Sequence, residues 1–171
     1  MLKKIATGLV ALALMSSTAI SAEVYRRNTG QWTISGHVGN GDASCVVSTY
    51  WGNGAQINVN IFPRYDGSQY TTMTIKNPNW RPVNAHMNEP FIGDIIFRGR
   101  NIGTVRLTGE FQIYGSRKVI LRNLSGAFSD YFIAAREMII FPGTADEMVV
   151  GLRGTRNASY ALTDCINRVL R

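Results

Sequence analysis

Two cysteines far apart in a chain of 171 residues constrain the fold more than any other feature. Cys165 lies in the closing stretch, residues 151–171, whose second half reads as one amphipathic helix near 156–169. Ala158, Ala161, Leu162, Cys165, Ile166 and Val169 are spaced 3, 1, 3, 1, 3, which puts them on one helical face. Cys45 lies in an alternating, strand-like run. A disulfide between the two would staple the helix to a β-sheet and close a very long loop, worth roughly 4–5 kcal/mol at most in the chain-entropy model. The alternative is two unrelated buried thiols. No C-x-x-C pair occurs, so neither a redox-exchange motif nor a zinc knuckle is indicated.

A bond of that kind needs an oxidising compartment, and residues 1–22 read as an export signal. Lys3 and Lys4 precede an apolar run of 11 residues, Ile5 to Met15, too short to span a bilayer. Cleavage after Ser21, with Ala19 at the −3 position, fits the small-residue rule better than cleavage after Ala22. The other reading of this stretch is an uncleaved anchor. No later segment is apolar enough to cross a membrane, so the expected location is periplasmic or secreted. Residues 23–171 then form a single β-rich domain, large enough for its own core.

Alternation at period two runs through most of that domain. Trp32, Ile34 and Val38 face one way; Thr33, Ser35 and His37 face the other. Ile57, Val59 and Ile61 alternate with Gln56, Asn58 and Asn60, a strand with one buried and one wet face. Turn signals at 39–42, Asn53-Gly54 and Asp66-Gly67 separate successive strands and predict an antiparallel meander. Further strands are expected at 92–97, 104–107, 119–121, 138–141 and 148–152. Phe128, Tyr131, Phe132 and Ala135 predict a short helix near 128–136, capped by Ser129. Thr155 or Asn157 is the expected cap of the last helix, and Arg168 and Arg171 suit its C-terminal dipole. The fold class is therefore mainly β: an antiparallel β-sandwich or strongly curved sheet carrying two helices.

Chemistry-bearing motifs are sparse. There is no H-E-x-x-H, no G-x-S-x-G and no phosphate-binding loop, and no local His, Cys and Asp cluster suits a metal. No cofactor and no catalytic residue is indicated. A site dispersed in sequence would start from His37 with Asp42, or His86 with Glu89. Residues 77–90 form an irregular stretch with three prolines and four asparagines. Trp80 and Arg81 within it are candidates for binding a glycan ring, a peptide or an acidic partner; the other reading is that Trp80 folds back over the core. Tyr50 and Trp51, at a strand end, carry the same two readings. Under the binding reading, replacing Trp80 and Arg81 leaves stability nearly unchanged.

Without Lys3 and Lys4 the chain holds 16 basic and 11 acidic residues, a net +5. The stretch 98–122 carries that whole excess through Arg98, Arg100, Arg106, Arg117, Lys118 and Arg122 against Glu110 alone. On neighbouring strands these would present a basic face to lipid head groups or an acidic protein, or be a merely solvated face. Nucleic acid is not an expected partner, because no recognition motif or basic cluster is present.

The early Trp32, the strand Cys45, the β-rich middle and the closing L-x-G-T-x-x-A-x-x-A-L-x-x-C from Leu152 to Cys165 resemble the invasion-associated locus B type of periplasmic or secreted proteobacterial proteins. The additional central cysteines of that family are not present. The resemblance implies a β-sandwich-like, non-catalytic envelope protein, in some cases linked to host-cell interaction. The expected function is thus a non-enzymatic envelope protein that binds a protein or a cell-envelope polymer. The alternatives are an inhibitor that offers loop 77–90 as a plug, and a hydrolase with a dispersed site. A hydrolase would join His37 or His86 to a carboxylate and a hydroxyl in a concave pocket; a binder would present Trp80 on a flat or protruding surface.

Overall fold

The structure, a computed structural model, describes residues 21–39, 41–80, 90–113, 117–122, 124 and 126–171. The stretch 1–22, expected as an export signal, lies almost wholly outside these residues. The described chain is mainly antiparallel β, as the alternation predicts. Its strands are β1 (Ala22–Thr29), β2 (Trp32–Gly39), β3 (Asp42–Tyr50), β4 (Gln56–Pro63), β5 (Gln69–Lys76), β6 (Pro90–Gly99), β7 (Gly103–Ile113), β8 (Lys118–Arg122), β9 (Glu137–Ile140) and β10 (Met148–Gly151). The helices are α1 (Gly126–Ala134) and α2 (Thr155–Val169).

All ten strands belong to one sheet in the order β1-β2-β3-β4-β5-β8-β7-β6-β9-β10. The expected meander holds through β5. The order then inverts, because β5 takes β8 as its neighbour and leaves β6 to pair with β9. Of the two architectures expected, this is the curved sheet. It does not close by a ladder. Its two ends approach through side chains: the Gln31 amide donates to the Gly151 carbonyl at 2.7 Å, and the Trp32 indole N–H donates to the Arg153 carbonyl at 3.0 Å.

Period-two alternation sends one residue set to the inner face and both helices pack there. Trp32, Ile34, Cys45, Val47, Ile57, Met73, Ile75, Ile95, Phe97, Phe111, Met138 and Val150 join one core with Phe128, Phe132, Ala158, Ala161 and Cys165. Aromatic edges carry this core from β2 to β6. Trp32 meets Phe132 at 5.5 Å, and Phe128 meets Phe97 at 5.3 Å, both edge to face.

The disulfide forms as the helical face requires: Cys45 and Cys165 are bonded, buried, and 120 residues apart in sequence. What lets the helix come so near is Gly36, which sits opposite Cys45 in the β2–β3 register. A Cβ on Gly36 would lie 2.8 Å from Val169 Cγ2, 3.0 Å from the Cys165 sulfur and 3.0 Å from Tyr25 Cβ. A β-bulge between Glu23 and Tyr25 turns Tyr25 under the helix. Its hydroxyl is shared between the Ala161 carbonyl at 3.0 Å and Asp164 Oδ2 at 3.1 Å. Asp164 also accepts from Arg168 Nε at 2.8 Å.

Both expected caps need correction. α1 begins at Gly126, so Ser129 sits exposed inside the helix and does not cap it. α2 is capped by Gly154 at φ 90°, with no side-chain bond. The left-handed turn at Gly154 aims the Thr155 hydroxyl backwards, and it donates to the Leu152 carbonyl at 2.9 Å.

Gly36→Ala is expected to cost about 1–3 kcal/mol in denaturant unfolding, because backbone and a cystine must both shift to admit one methyl group. A neutral result would show that the helix docks with slack. The clamp on α2 also has a pH signature. The bond from Arg168, and less strongly that from Tyr25, holds Asp164 below its usual value near 3.8. This contribution is present above that value and is lost as pH falls through the depressed one. Burial first, and then Asp164, raises Tyr25 above 10.0. This contribution is present below pH 10 and is lost as pH rises through the raised value. Unfolding midpoints measured across pH should therefore fall at both ends, and Tyr25→Phe should flatten the alkaline limb.

Candidate functional site

A concavity with a mainly apolar lining lies at one end of the curved sheet, between the start of β6 and the turn that follows β9. Its volume is about 710 Å³, within the range of small-ligand and side-chain-binding clefts. Alternation along β6 puts Phe91 and Gly93 on the inner face of this end. Phe141, just past β9, closes the cluster: it lies 4.8 Å from Phe111, 5.7 Å from Phe91 and 5.6 Å from Trp80 between ring centres. Gly93 is needed beneath these rings, since a Cβ there would lie 2.7 Å from Phe141 and 2.9 Å from Phe111.

Backbone strain gathers at the same place. Among the described residues, two that are not glycine have positive φ, Arg117 at 67° and Phe141 at 54°, and both line the cavity. Such conformations cost on the order of 1–3 kcal/mol each and persist where surroundings hold them. Phe141 is held by its own turn. Its N–H donates to the Asp94 carbonyl at 3.0 Å, and its carbonyl accepts from the Thr144 N–H at 3.3 Å and hydroxyl at 2.8 Å.

Trp80 belongs to the wall of this cavity, and of its two readings the one found is that it folds back over the core rather than standing on a protruding surface. The side chain is 5% exposed, and its indole N–H donates to the Asp146 carbonyl at 2.6 Å. The turn at 77–80 directs it inward: the Asn77 carbonyl accepts from the Trp80 N–H at 3.1 Å, and the Asn77 side chain accepts from the Asn79 N–H at 3.0 Å. Arg81, His86, Glu89 and the rest of the 77–90 loop after Trp80 and before Pro90 lie outside the described residues. Arg117 and Lys118 stand on one wall of the cavity, and Asp146 on another.

The other selected residues do not converge on it. Tyr50 is 66% exposed and its hydroxyl accepts from the Gln56 amide at 2.9 Å. Trp51 is half-buried against the core, its backbone tied to Ala55 and Gly54. The segment 98–122 does form neighbouring strands, with Arg98, Arg106 and Arg122 on the outer face. Its positive excess is partly cancelled, however. Arg98 pairs with Glu137 at 3.2 Å and Arg106 with Asp94 at 3.1 Å, while Arg122 donates to the Gln112 side-chain oxygen at 2.9 Å. Arg100 is exposed in the turn after β6. Exposed pairs of this kind add at most about 1 kcal/mol each, so they set the charge of the face more than its stability.

His37 lines a second depression, of about 940 Å³, with Asp42, Ser44 and Asp66. Its Nε2 lies 3.0 Å from the Ser35 hydroxyl. Ser35 is only 8% exposed and does not line that depression. The Asp66 carboxylate receives both the backbone N–H and the hydroxyl of Ser68, which lowers its pKa. The imidazole and the hydroxyl it touches thus do not face a common substrate volume. Among the described residues no group of three or more His, Cys, Asp or Glu side chains could hold a metal ion. Among the described residues, too, no helix is long and apolar enough to cross a membrane.

Four residues of the main cavity carried little sequence signal. Phe141 and Pro142 read as the end of a strand, Arg117 as part of a charge run, and Gly93 as an ordinary glycine. The alternation Phe91-x-Gly93 beside a Pro-Gly turn was the available clue.

Trp80→Ala is expected to lower unfolding stability by about 3–5 kcal/mol, the cost of emptying a large buried aromatic site. Trp80→Phe should cost less, and should isolate the bond to Asp146. A Trp80→Ala protein as stable as the parent would return this residue to the surface. Comparison of the chain with protein-family models, with curated proteins and with solved structures finds no match.

Proposed function

We propose that the protein works outside the cytoplasm as a non-enzymatic binding protein, and that the cavity at the end of the sheet engages part of a protein partner. The aromatic-walled cavity of about 710 Å³ is the observation that carries this reading. Its walls hold Trp80, Phe91, Phe141 and Ile113, with Asp94, Arg117, Lys118 and Asp146 beside them, and the mainly apolar lining favours burial of an apolar side chain. The disulfide supports an oxidising compartment, as does the charged and then apolar N-terminal stretch. The resemblance to the invasion-associated locus B type points the same way, towards an envelope protein with a role in host contact.

Neither alternative gains an observation of comparable weight. The inhibitor reading rests on loop 77–90, of which residues 81–89 lie outside the described residues. The hydrolase reading rests on the His37–Ser35 contact at 3.0 Å, whose hydroxyl is covered.

The test is affinity capture from an envelope or host-surface extract, run in parallel with Ile113→Trp, which grows one wall into the cavity. A partner held by the parent and lost by Ile113→Trp, at an unchanged melting temperature, is the expected result. Equal retention by both proteins would remove the cavity from the function.

A further inference from the structure

One wall of the cavity is not a side-chain wall at all but a strand edge. β6 pairs with β7 along its whole length, from Pro90 opposite Gln112 to Gly99 opposite Gly103. On its other side it pairs with β9 only from Ile95 to Arg98. The direction of the backbone groups follows from the two bonds that flank this ladder. The Arg98 carbonyl accepts from the Arg136 N–H at 2.8 Å, and the Asp94 carbonyl accepts from the Phe141 N–H at 3.0 Å. Even-numbered residues of β6 therefore aim their N–H and C=O towards the β9 side. Ile92 is the next even-numbered residue along the strand.

Beyond Asp94, β9 has gone. The left-handed conformation of Phe141 lifts the chain off the edge and gives its carbonyl to Thr144 rather than to the Asp94 N–H. Among the described residues, the N–H of Asp94 and the N–H and C=O of Ile92 have no ladder partner on this side. The Ile92 side chain is 69% exposed. Open edges are ordinarily blunted by charge, proline or a covering segment. This one carries Pro90 at its start and the Asp94 carboxylate further on, and between them it borders an aromatic cavity.

We propose that this edge accepts an extended peptide segment of the partner as an added strand, one apolar side chain of which enters the cavity between Phe91, Phe141 and Trp80. The inference rests on the binding reading above and names its partner chemistry. Backbone groups spaced along a strand edge are complemented by another strand, and a sugar or lipid does not repeat them.

The probe is a synthetic peptide of alternating valine and threonine with a glutamate at each end, together with the same peptide N-methylated at every second amide. The parent protein should bind the first peptide, and N-methylation should weaken binding about tenfold or more, the equivalent of one or two lost hydrogen bonds. Ile92→Pro should do the same while leaving the melting temperature nearly unchanged, since the deleted N–H faces away from β7. Should Ile92→Pro fail to fold, the N-methylated peptide still decides. Amide exchange gives a second readout: the Ile92 and Asp94 N–H groups should exchange fast in the free protein and slowly with peptide bound.

Slow exchange in the peptide-free monomer would mean that the chain covers its own edge, and would overturn the proposal. So would dimerisation of the peptide-free protein that Ile92→Pro abolishes, because the occupant would then be a second copy. Equal binding of the plain and methylated peptides would also overturn it. If, in addition, Ile113→Trp still abolished partner capture, the cavity would stand as a binding site without strand addition. Loss of neither peptide nor partner in Ile113→Trp would remove both.

Discussion

Everything in this fold turns on how closely α2 approaches the sheet, and that distance is set by the missing side chain at Gly36. A cystine is short. Its helix must lie almost on the backbone of β2 for Cys165 to reach Cys45 one strand over. Any residue but glycine at 36 would hold the helix off by the width of a methyl group. The covalent tie is thus the consequence of a steric vacancy, and the two act as one unit. Tyr25 completes it from the edge strand, with one hydroxyl spanning the bulge to the helix backbone and to Asp164. Staple, vacancy and clamp all lie at the first three strands, while α1 carries the core across to β6 through Phe132, Phe128 and Phe97.

What could be read from the sequence follows the range of each signal. Period-two alternation is local, so the strands from β2 to β5 and their meander were legible. The face of α2 and its cysteine were legible for the same reason at period 3.6. The pairing of β5 with β8 was not, because strand order after the 77–90 stretch depends on contacts between segments far apart in sequence. Helix caps failed for a different reason. Ser129, Thr155 and Asn157 all have the right side chains, but the chain enters α2 through a left-handed glycine, and that geometry leaves the Thr155 hydroxyl pointing at Leu152.

The candidate site was legible only in part. Trp80 stood out by residue type, yet an aromatic in an irregular loop carries no sign of which way it faces. The turn bonds of Asn77 decide it, and they turn Trp80 inward to Asp146. The basic stretch stood out by charge, but cross-strand pairing brings Glu137 and Asp94 from other places to meet Arg98 and Arg106. A charge count along the chain does not contain those neighbours. Phe141 carried no signal, because a positive φ at phenylalanine is imposed by tertiary context and not by its own preference.

That strained phenylalanine connects the architecture to the proposed activity. Had Phe141 continued in β geometry, β9 would run on beside Asp94 and Ile92, the edge would be paired, and the ring would not close over Gly93. The left-handed step does three things at once: it ends a ladder, leaves the Asp94 N–H and the Ile92 backbone without a ladder partner on that side among the described residues, and swings an aromatic ring into the cavity wall. Its cost is met by packing against Phe91, Phe111 and Trp80 and by the Thr144 bonds to its carbonyl. Strain at one residue and an open edge beside it are one arrangement, and removing the first would remove the second. The tie beside Gly36 lies among β1 to β3, at the opposite end of the strand order from β9 and β10, and the two ends meet through Gln31 and Trp32. The covalent tie is thus made on strands other than β6, along whose edge a partner strand is proposed to bind.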